Sequence, residues 1–119
     1  MLQRRKYFRW AFAACLAVVM VLALMPVGAM PSTGWDKANH ALAFAVLAML
    51  GRAAYLRDGA RLWLGLLAYG GLIELLQGLT DYRSADWLDV VADSVGLFIG
   101  WQLMRLALRL RSPGQAPLA

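Results

Sequence analysis

Apolar residues are concentrated in four long runs, and short polar segments separate these runs. The runs cover residues 10–27, 38–55, 61–79 and 87–108. Each run approaches the ~20 residues that an α-helix needs to cross a hydrocarbon core of about 30 Å, because a helix rises about 1.5 Å per residue. The pattern therefore predicts four transmembrane helices that are joined by short loops.

The composition also indicates a membrane protein. Of the 119 residues, 61% are hydrophobic and 16% are charged, whereas soluble domains are about 45–50% apolar. A soluble domain of this length cannot bury so much apolar surface. We predict an all-α membrane protein, a four-transmembrane-helix bundle with short loops. It has a basic N-terminal segment (1–9), a helical transmembrane domain (10–108) and a polar, disordered C-terminal tail (109–119).

The basic residues orient the predicted bundle. Among the 12 Lys and Arg residues, only Lys37 and Arg83 lie in the loops that follow the first and third runs. The other basic residues flank the opposite ends of the runs: Arg4, Arg5, Lys6, Arg9, Arg52, Arg57, Arg61, Arg105, Arg109 and Arg111. Short loops rich in basic residues stay in the cytoplasm, so we predict a multi-pass inner-membrane protein with both termini inside. The net charge of +5 then reflects topology and contact with anionic lipid, and no nucleic-acid partner is expected.

The first run has a second interpretation, as a cleavable signal peptide. It has a basic start and ends on the small residues of Val27-Gly28-Ala29. Its apolar stretch is longer than the about 7–15 residues of a signal-peptide core, however, and its removal would leave three helices. We therefore expect the first helix to be retained. Cys15, the single cysteine, lies within it, which excludes an intramolecular disulfide.

Polar residues occur at helical spacing at one end of the predicted bundle. Asp36 and His40 are four positions apart at the start of the second helix, so they share a face. Glu74 and Gln77 are three positions apart and share a face near the end of the third helix. On the fourth helix, three carboxylates and then two glycines follow one another at alternating steps of three and four, so they share a face. These residues are Asp86, Asp89, Asp93, Gly96 and Gly100.

Topology should bring these polar faces together, because the second and fourth helices begin at the outer face and the third helix ends there. We predict an extracytoplasmic, ligand-binding pocket that is lined by Asp36, Lys37, His40, Glu74, Gln77, Arg83, Asp86, Asp89 and Asp93. Gly96 and Gly100 are assigned to helix packing, since small residues at this spacing permit close helix contact. Asp36 and Asp86 fit equally well as helix N-caps.

The predicted pocket is strongly acidic. It contains the five carboxylates named above but only two fixed cations, Lys37 and Arg83. Because unpaired buried charge is costly, the excess has to be relieved by protonated carboxyls, by a cationic His40, or by a bound cation. A metal ion held by His40, Glu74 and Asp93 is one of these alternatives, although the spacing matches no zinc motif.

Three blocks of the chain resemble the VanZ-like family of small membrane proteins. The blocks are DKANH, ELLQ and RSADWLDVVADSVGLFIG, which match D-K-x-x-H, E-x-x-Q, and R followed by D and G-x-x-x-G. The resemblance extends from about Trp35 to Gly100. Asp93 departs from it, since the family more often has asparagine there. The residues on family motif positions are Asp36, Lys37, His40, Glu74, Gln77, Arg83, Asp89, Gly96 and Gly100.

The family is named for a protein that lowers susceptibility to the lipoglycopeptide antibiotic teicoplanin. The resemblance implies a role in the cell envelope, at the outer face of the membrane. In that setting we expect the pocket to bind a membrane lipid or a lipid-linked envelope molecule and to affect antibiotic resistance, as teicoplanin susceptibility. Two alternatives stay open. One is an enzyme that acts on a lipid headgroup, with Glu74 or His40 as the acid–base group and Asp89 orienting it. The other is a small multidrug-type transporter, although such proteins carry their glutamate in the first helix. A domain of this size is also able to form a homodimer.

Overall fold

The computed structural model describes residues 2–25, 36–55, 59–80 and 86–111. These residues form four α-helices: α1 (Leu2–Leu24), α2 (Asp36–Ala54), α3 (Gly59–Gly78) and α4 (Trp87–Arg111). The all-α class and the four helices predicted from the apolar runs are thus confirmed. Arg83, the side chain of Asp36 and the tail beyond residue 111 lie outside the described part of the chain.

Each helix extends beyond one end of the apolar run that predicts it. α1 begins at Leu2, so the basic N-terminal segment belongs to the same helix as the apolar run that follows it. α4 continues to Arg111, three residues beyond the end of the fourth run. A helix can carry basic side chains beyond a membrane-spanning stretch because long Lys and Arg side chains extend toward water.

α2 and α4 run parallel and form the most extensive interface of the bundle. Near the N-termini of both helices, Lys37 pairs with Asp89. Farther along, the guanidinium carbon of Arg52 lies 5.0 Å from the ring centre of Trp101. These two contacts, one near each end of the interface, show that the helices keep the same direction and register along their length.

Glycine allows the backbones of α2 and α4 to touch. A Cβ atom added at Gly96 would overlap the carbonyl oxygen of Ala41, and one added at Gly100 would overlap that of Ala45. The small residues are four positions apart on each helix, so they lie on one face of it. Any side chain at either glycine would therefore force the two helices apart.

α1 packs against α2 and α3. The Tyr69 hydroxyl of α3 donates a hydrogen bond to the backbone carbonyl of Leu16 in α1. Closer to the ends of the same helices, Gln77 Nε2 donates to the carbonyl of Ala23 over 2.9 Å. α1 and α3 are therefore parallel, and the helix directions alternate along the chain. The core between the helices consists of Phe44, Leu47, Ala48, Leu66, Ile73 and Leu97.

Among the described residues, three helices are long and apolar enough to cross a membrane: Gln3–Leu24, Gly59–Gly78 and Trp87–Leu110. α2, which carries Lys37, His40 and Arg52 near its two ends, is not among these three. It contacts all three other helices, however, so its neighbours cover much of its surface. The structure thus agrees with a multi-pass membrane protein. A fourth crossing by α2, and cytoplasmic termini, stay predictions.

Candidate functional site

Three helices bring polar side chains together at one end of the bundle. The N-termini of α2 and α4 and the C-terminus of α3 meet there, because α3 runs against the other two helices. The polar cluster, as we call this group, consists of Lys37, His40, Glu74, Asp86, Asp89 and Asp93. The three segments that carry these residues are distant in sequence, and the helix directions explain why they lie at one level.

Lys37 connects α2 to the start of α4. Its ammonium donates to Asp86 Oδ2 over 2.7 Å and also to Asp89. Asp86 precedes α4, and its Oδ1 accepts the backbone N–H of Leu88 over 3.0 Å, which makes Asp86 the N-cap of the helix. The Lys37 ammonium and then the Leu88 N–H lower the pKa of the Asp86 carboxyl from its ordinary value. Asp86 is thus both a helix cap and an ion-pair partner.

His40 lies between two carboxylates of α4. Its Nδ1 is 2.9 Å from Asp93 Oδ1, and its Nε2 is 3.4 Å from Asp89 Oδ2. Asp89 and Asp93 are both buried, and they are four positions apart, so they reach the ring from successive turns of one face. The two carboxylates hold the imidazole in one orientation.

Glu74 is the contribution of α3 to the polar cluster. The residue is 6% exposed. Its Oε2 accepts the backbone N–H of Asp86 over 2.8 Å, and its Oε1 is buried without a hydrogen-bond partner among the described residues. One carboxylate oxygen of Glu74, one ring nitrogen of His40 and one carboxylate oxygen of Asp89 lie within 4.8 Å of one another. Glu74 therefore presents an unsatisfied acceptor inside the cluster.

Gln77 is close to the polar cluster in sequence but contacts a different helix. It is buried, and its side-chain amide donates to the carbonyl of Ala23, near the end of α1. The last carbonyls of a helix lack partners within that helix, so this hydrogen bond satisfies one of them. The structure thus places Gln77 between α3 and α1, beside the cluster. Its predicted role in ligand binding stays a prediction.

The polar cluster carries more negative than positive charge among its described residues. Four carboxylates, those of Glu74, Asp86, Asp89 and Asp93, stand against the single fixed cation of Lys37. Three of these four acidic residues are buried. A site of this kind can bind cations or hydrogen-bond donors, and its His40–Asp93 pair can hold a proton.

One buried charged residue was not among the predicted site residues. Arg52 is buried at the opposite end of α2, where its guanidinium lies over the ring of Trp101. Helical spacing is the signal that could have found it, because Arg52 follows Phe44 and Ala48 at intervals of four and both of those are buried. The pattern of basic residues alone assigns it only to a cytoplasmic flank.

An apolar cleft lies away from the polar cluster, between α1 and α3. Its volume is about 270 Å³. The residues that line it are Phe12, Leu16, Arg61, Leu62, Gly65, Leu66 and Tyr69.

Comparison with known proteins identifies the family. No curated protein and no solved structure shows significant similarity to the chain. The model of the VanZ/LLP1 family matches residues 5–108, which include the whole polar cluster. This match confirms the resemblance of the three sequence blocks, and the chain belongs to the VanZ/LLP1 family.

Proposed function

We propose that the polar cluster binds the headgroup of a membrane lipid or of a lipid-linked envelope molecule, on the extracytoplasmic side of the membrane. Headgroups lie at the ends of membrane-spanning helices, and the cluster is at one end of the bundle. The few basic residues near this end in the sequence favour the extracytoplasmic side. The excess of carboxylates favours a headgroup that carries amine or hydroxyl donors.

The observation that carries this proposal is the unsatisfied oxygen of Glu74. A buried acceptor without a partner costs about 1–3 kcal/mol, and more when it is charged. A network that served only to hold helices together would gain stability by losing this group. Its presence in a 6% exposed residue with Oε1 unpartnered among the described residues supports a role in which a ligand completes the hydrogen bonding.

Lys37 has a different role from the one expected for a ligand-binding cation. Its ammonium already contacts Asp86 and Asp89, so in this proposal it holds α2 and α4 together at the edge of the site. Ligand recognition is assigned to Glu74 and to the carboxylates around His40. Arg83, which comes shortly before α4 in the sequence, is assigned to an anionic group of the ligand, because an arginine side chain binds phosphate and carboxylate groups well.

A second candidate function is an enzyme that acts on such a headgroup. The pair of His40 Nδ1 and Asp93 Oδ1 favours it, because a carboxylate that orients an imidazole prepares the other ring nitrogen for proton transfer. Ser94 lies next to this pair in sequence, but its hydroxyl donates to the carbonyl of Val90 within α4. Since the hydroxyl is bonded inside its own helix, we prefer binding to nucleophilic catalysis.

Lipid retention tests the binding proposal directly. The wild-type protein and Glu74→Gln are purified in the same mild detergent, and the lipids that remain bound are identified by mass spectrometry. Glu74→Gln keeps the shape of the side chain but loses its charge, so we expect it to retain much less of the lipid class that the wild type carries. Arg109→Gln, an exposed change near the other end of α4, is the control. Equal retention by all three proteins would contradict the proposal.

Antibiotic susceptibility tests the role in the envelope. The same variants are expressed in a heterologous Gram-positive host, and teicoplanin susceptibility is compared at equal protein levels. We expect the wild type and Arg109→Gln to lower susceptibility and Glu74→Gln to leave it unchanged. An unchanged wild-type strain would refute the link to teicoplanin, whereas full activity of Glu74→Gln would refute the assignment of the site.

A further inference from the structure

The geometry points to a transition-metal site inside the polar cluster, with His40, Glu74 and Asp89 as ligands and Asp93 as a positioning residue. One donor atom from each ligand lies within 4.8 Å of the other two. The metal site does not require the proposed function, although both use the same oxygen of Glu74: a bound metal ion would take the place there of a headgroup donor. Asp93, a candidate ligand by sequence, contacts His40 Nδ1 instead, so Asp89 takes that place.

The spacing of the donors fits a metal ion. Two ligand atoms that are each about 2.1 Å from a tetrahedral metal ion are about 3.4 Å apart. His40 Nε2 and Asp89 Oδ2 are separated by 3.4 Å. These two atoms therefore already have the separation of two ligands of one metal ion, and a carboxylate oxygen of Glu74 belongs to the same group of donor atoms, all within 4.8 Å of one another.

The Glu74 side chain gives independent support for a bound cation. It is 6% exposed, its Oε2 is held by the Asp86 N–H, and its Oε1 has no hydrogen-bond partner among the described residues. A metal ion bonded to Oε1 would satisfy it.

Asp93 contacts Nδ1 of His40, the ring nitrogen that would not bind the metal ion. Histidines that bind metals usually donate their other ring N–H to a carboxylate or carbonyl, which fixes the tautomer and the ring orientation. Here His40 Nδ1 lies 2.9 Å from the fully buried carboxylate of Asp93. With the Nδ1 proton directed to Asp93, the Nε2 lone pair points toward Asp89, where the metal ion would lie.

The donor set and the charge favour a particular class of metal. One nitrogen and two carboxylate oxygens suit Zn²⁺, Mn²⁺ or Fe²⁺, whereas Mg²⁺ and Ca²⁺ prefer oxygen donors alone. Lys37 balances only part of the charge of the four carboxylates, and a divalent ion would balance two more charges. Three protein ligands also leave a coordination position open for water or for a ligand oxygen.

Zn²⁺ binding to the purified protein tests the site. Metal-stripped protein in detergent, with no added amphiphile, is titrated with Zn²⁺ in the presence of excess Mg²⁺. We expect one tightly bound Zn²⁺ per chain, at least a tenfold loss of affinity in Glu74→Gln and in His40→Gln, and a loss of about tenfold in Asp93→Asn. Asp58→Asn removes a carboxylate directly before α3 in the sequence, at the other end of that helix from Glu74, and should bind as the wild type does.

Co²⁺ provides a spectroscopic test of the positioning role. In the Co²⁺-loaded protein, Asp93→Asn should shift the visible absorption bands while one Co²⁺ per chain is retained at saturating metal. A merely structural role for Asp93 would leave the bands of the folded, loaded variant unchanged, and that result would overturn its assignment as a positioning residue.

Two results would overturn the metal site itself. One is a wild type that binds no Zn²⁺ in the presence of Mg²⁺ and whose thermal unfolding does not respond to Zn²⁺. This result needs no variant, so it decides the question even where a variant fails to fold. The other is a folded Glu74→Gln or His40→Gln with wild-type affinity, which would show adventitious binding elsewhere. Neither result depends on lipid retention or teicoplanin susceptibility, so the proposed function is tested separately.

Discussion

His40 and Asp93 join α2 to α4 through a contact of 2.9 Å between Nδ1 of the ring and Oδ1 of a carboxylate that is fully buried. An ionised carboxylate can only accept hydrogen bonds, whereas each ring nitrogen either donates or accepts, depending on the tautomer. Asp93 therefore places a proton on Nδ1 of His40. This pair sets the chemistry of the polar cluster, since the remaining nitrogen is left with its lone pair when the ring is neutral.

Two substitutions of Asp93 should distinguish how much its hydrogen bond to His40 stabilises the fold from how much its negative charge does. Asp93→Asn keeps an acceptor of nearly the same shape, so we expect it to change the free energy of unfolding by less than about 1 kcal/mol. Asp93→Ala removes the partner of a buried imidazole and leaves a cavity, at a cost of about 3 kcal/mol. Unfolding titrations in mixed micelles measure both. An Asn variant as unstable as the Ala variant would show that His40 is cationic and needs the negative charge.

The close contact of α2 and α4 makes a second prediction. Gly96→Ala and Gly100→Ala each place a methyl group against backbone atoms of α2, which cannot move aside as a flexible side chain would. We expect each change to lower the free energy of unfolding by at least about 2 kcal/mol, as overpacking of an interface does. It should also weaken the pairing of Lys37 with Asp89, because the helices would separate.

Gly71 provides a matched control for this prediction. It lies in the interior of α3, and nothing lies within 4 Å of the position that its Cβ would occupy. Gly71→Ala should leave stability unchanged or raise it by about 0.5–1 kcal/mol, because alanine favours the helix over the unfolded chain. If Gly96→Ala were as stable as Gly71→Ala, that result would contradict the close backbone contact between α2 and α4.

The sequence is sufficient to predict the four helices and the residues that meet at one end of the bundle. Apolar run length predicts the helices, and the alternation of helix direction follows from short connections. Spacings of three and four put Glu74 on one face of α3, and Asp89 and Asp93 on one face of α4. We can therefore predict that His40 lies near these carboxylates without knowing the angles at which the helices cross.

The individual partners could not be predicted in the same way. Whether His40 Nδ1 contacts Asp89 or Asp93 depends on the rotation of each helix about its axis, which is set by how closely the backbones approach. That approach requires both Gly96 and the small residue Ala41 opposite it. Likewise, Gln77 shares a face with Glu74 in the helical pattern, but its amide reaches the carbonyl of Ala23 because α1 lies beside it.

Acid should weaken the ion pair between Lys37 and Asp86. The Lys37 ammonium and the Leu88 N–H lower the pKa of the Asp86 carboxyl in the folded protein. The unfolded pKa is about 3.9, so Asp86 stabilises the fold above that pH, and this contribution is lost as the pH falls through the lower, folded pKa. We expect the wild type to be more stable than Asp86→Asn at pH 6 and the difference in Tm to disappear on acidification. A difference that is the same at all pH values would contradict this account.

The membrane orientation provides the last prediction, because the headgroup proposal requires the polar cluster to face outward. Single cysteines are introduced as Ser32→Cys and Ser84→Cys, which lie before α2 and before α4 in the sequence. A Cys15→Ser background removes the native thiol. We expect a membrane-impermeant maleimide to label both positions in intact cells, because Lys37 and Arg83 are the only basic residues near these loops.

Arg57→Cys, between α2 and α3 in the sequence, and Ser112→Cys, directly after α4, are the controls and should react only after the membrane is permeabilised. The reverse pattern would place the polar cluster in the cytoplasm. Glu74 and His40 would then meet cytoplasmic headgroups, and any effect on an extracellular glycopeptide would have to be indirect.

Labelling of Ser32→Cys from outside but Ser84→Cys from inside would mean that the helices do not all cross the membrane. That result would be incompatible with the parallel contact of Lys37 and Asp89, which requires both segments to begin on the same side.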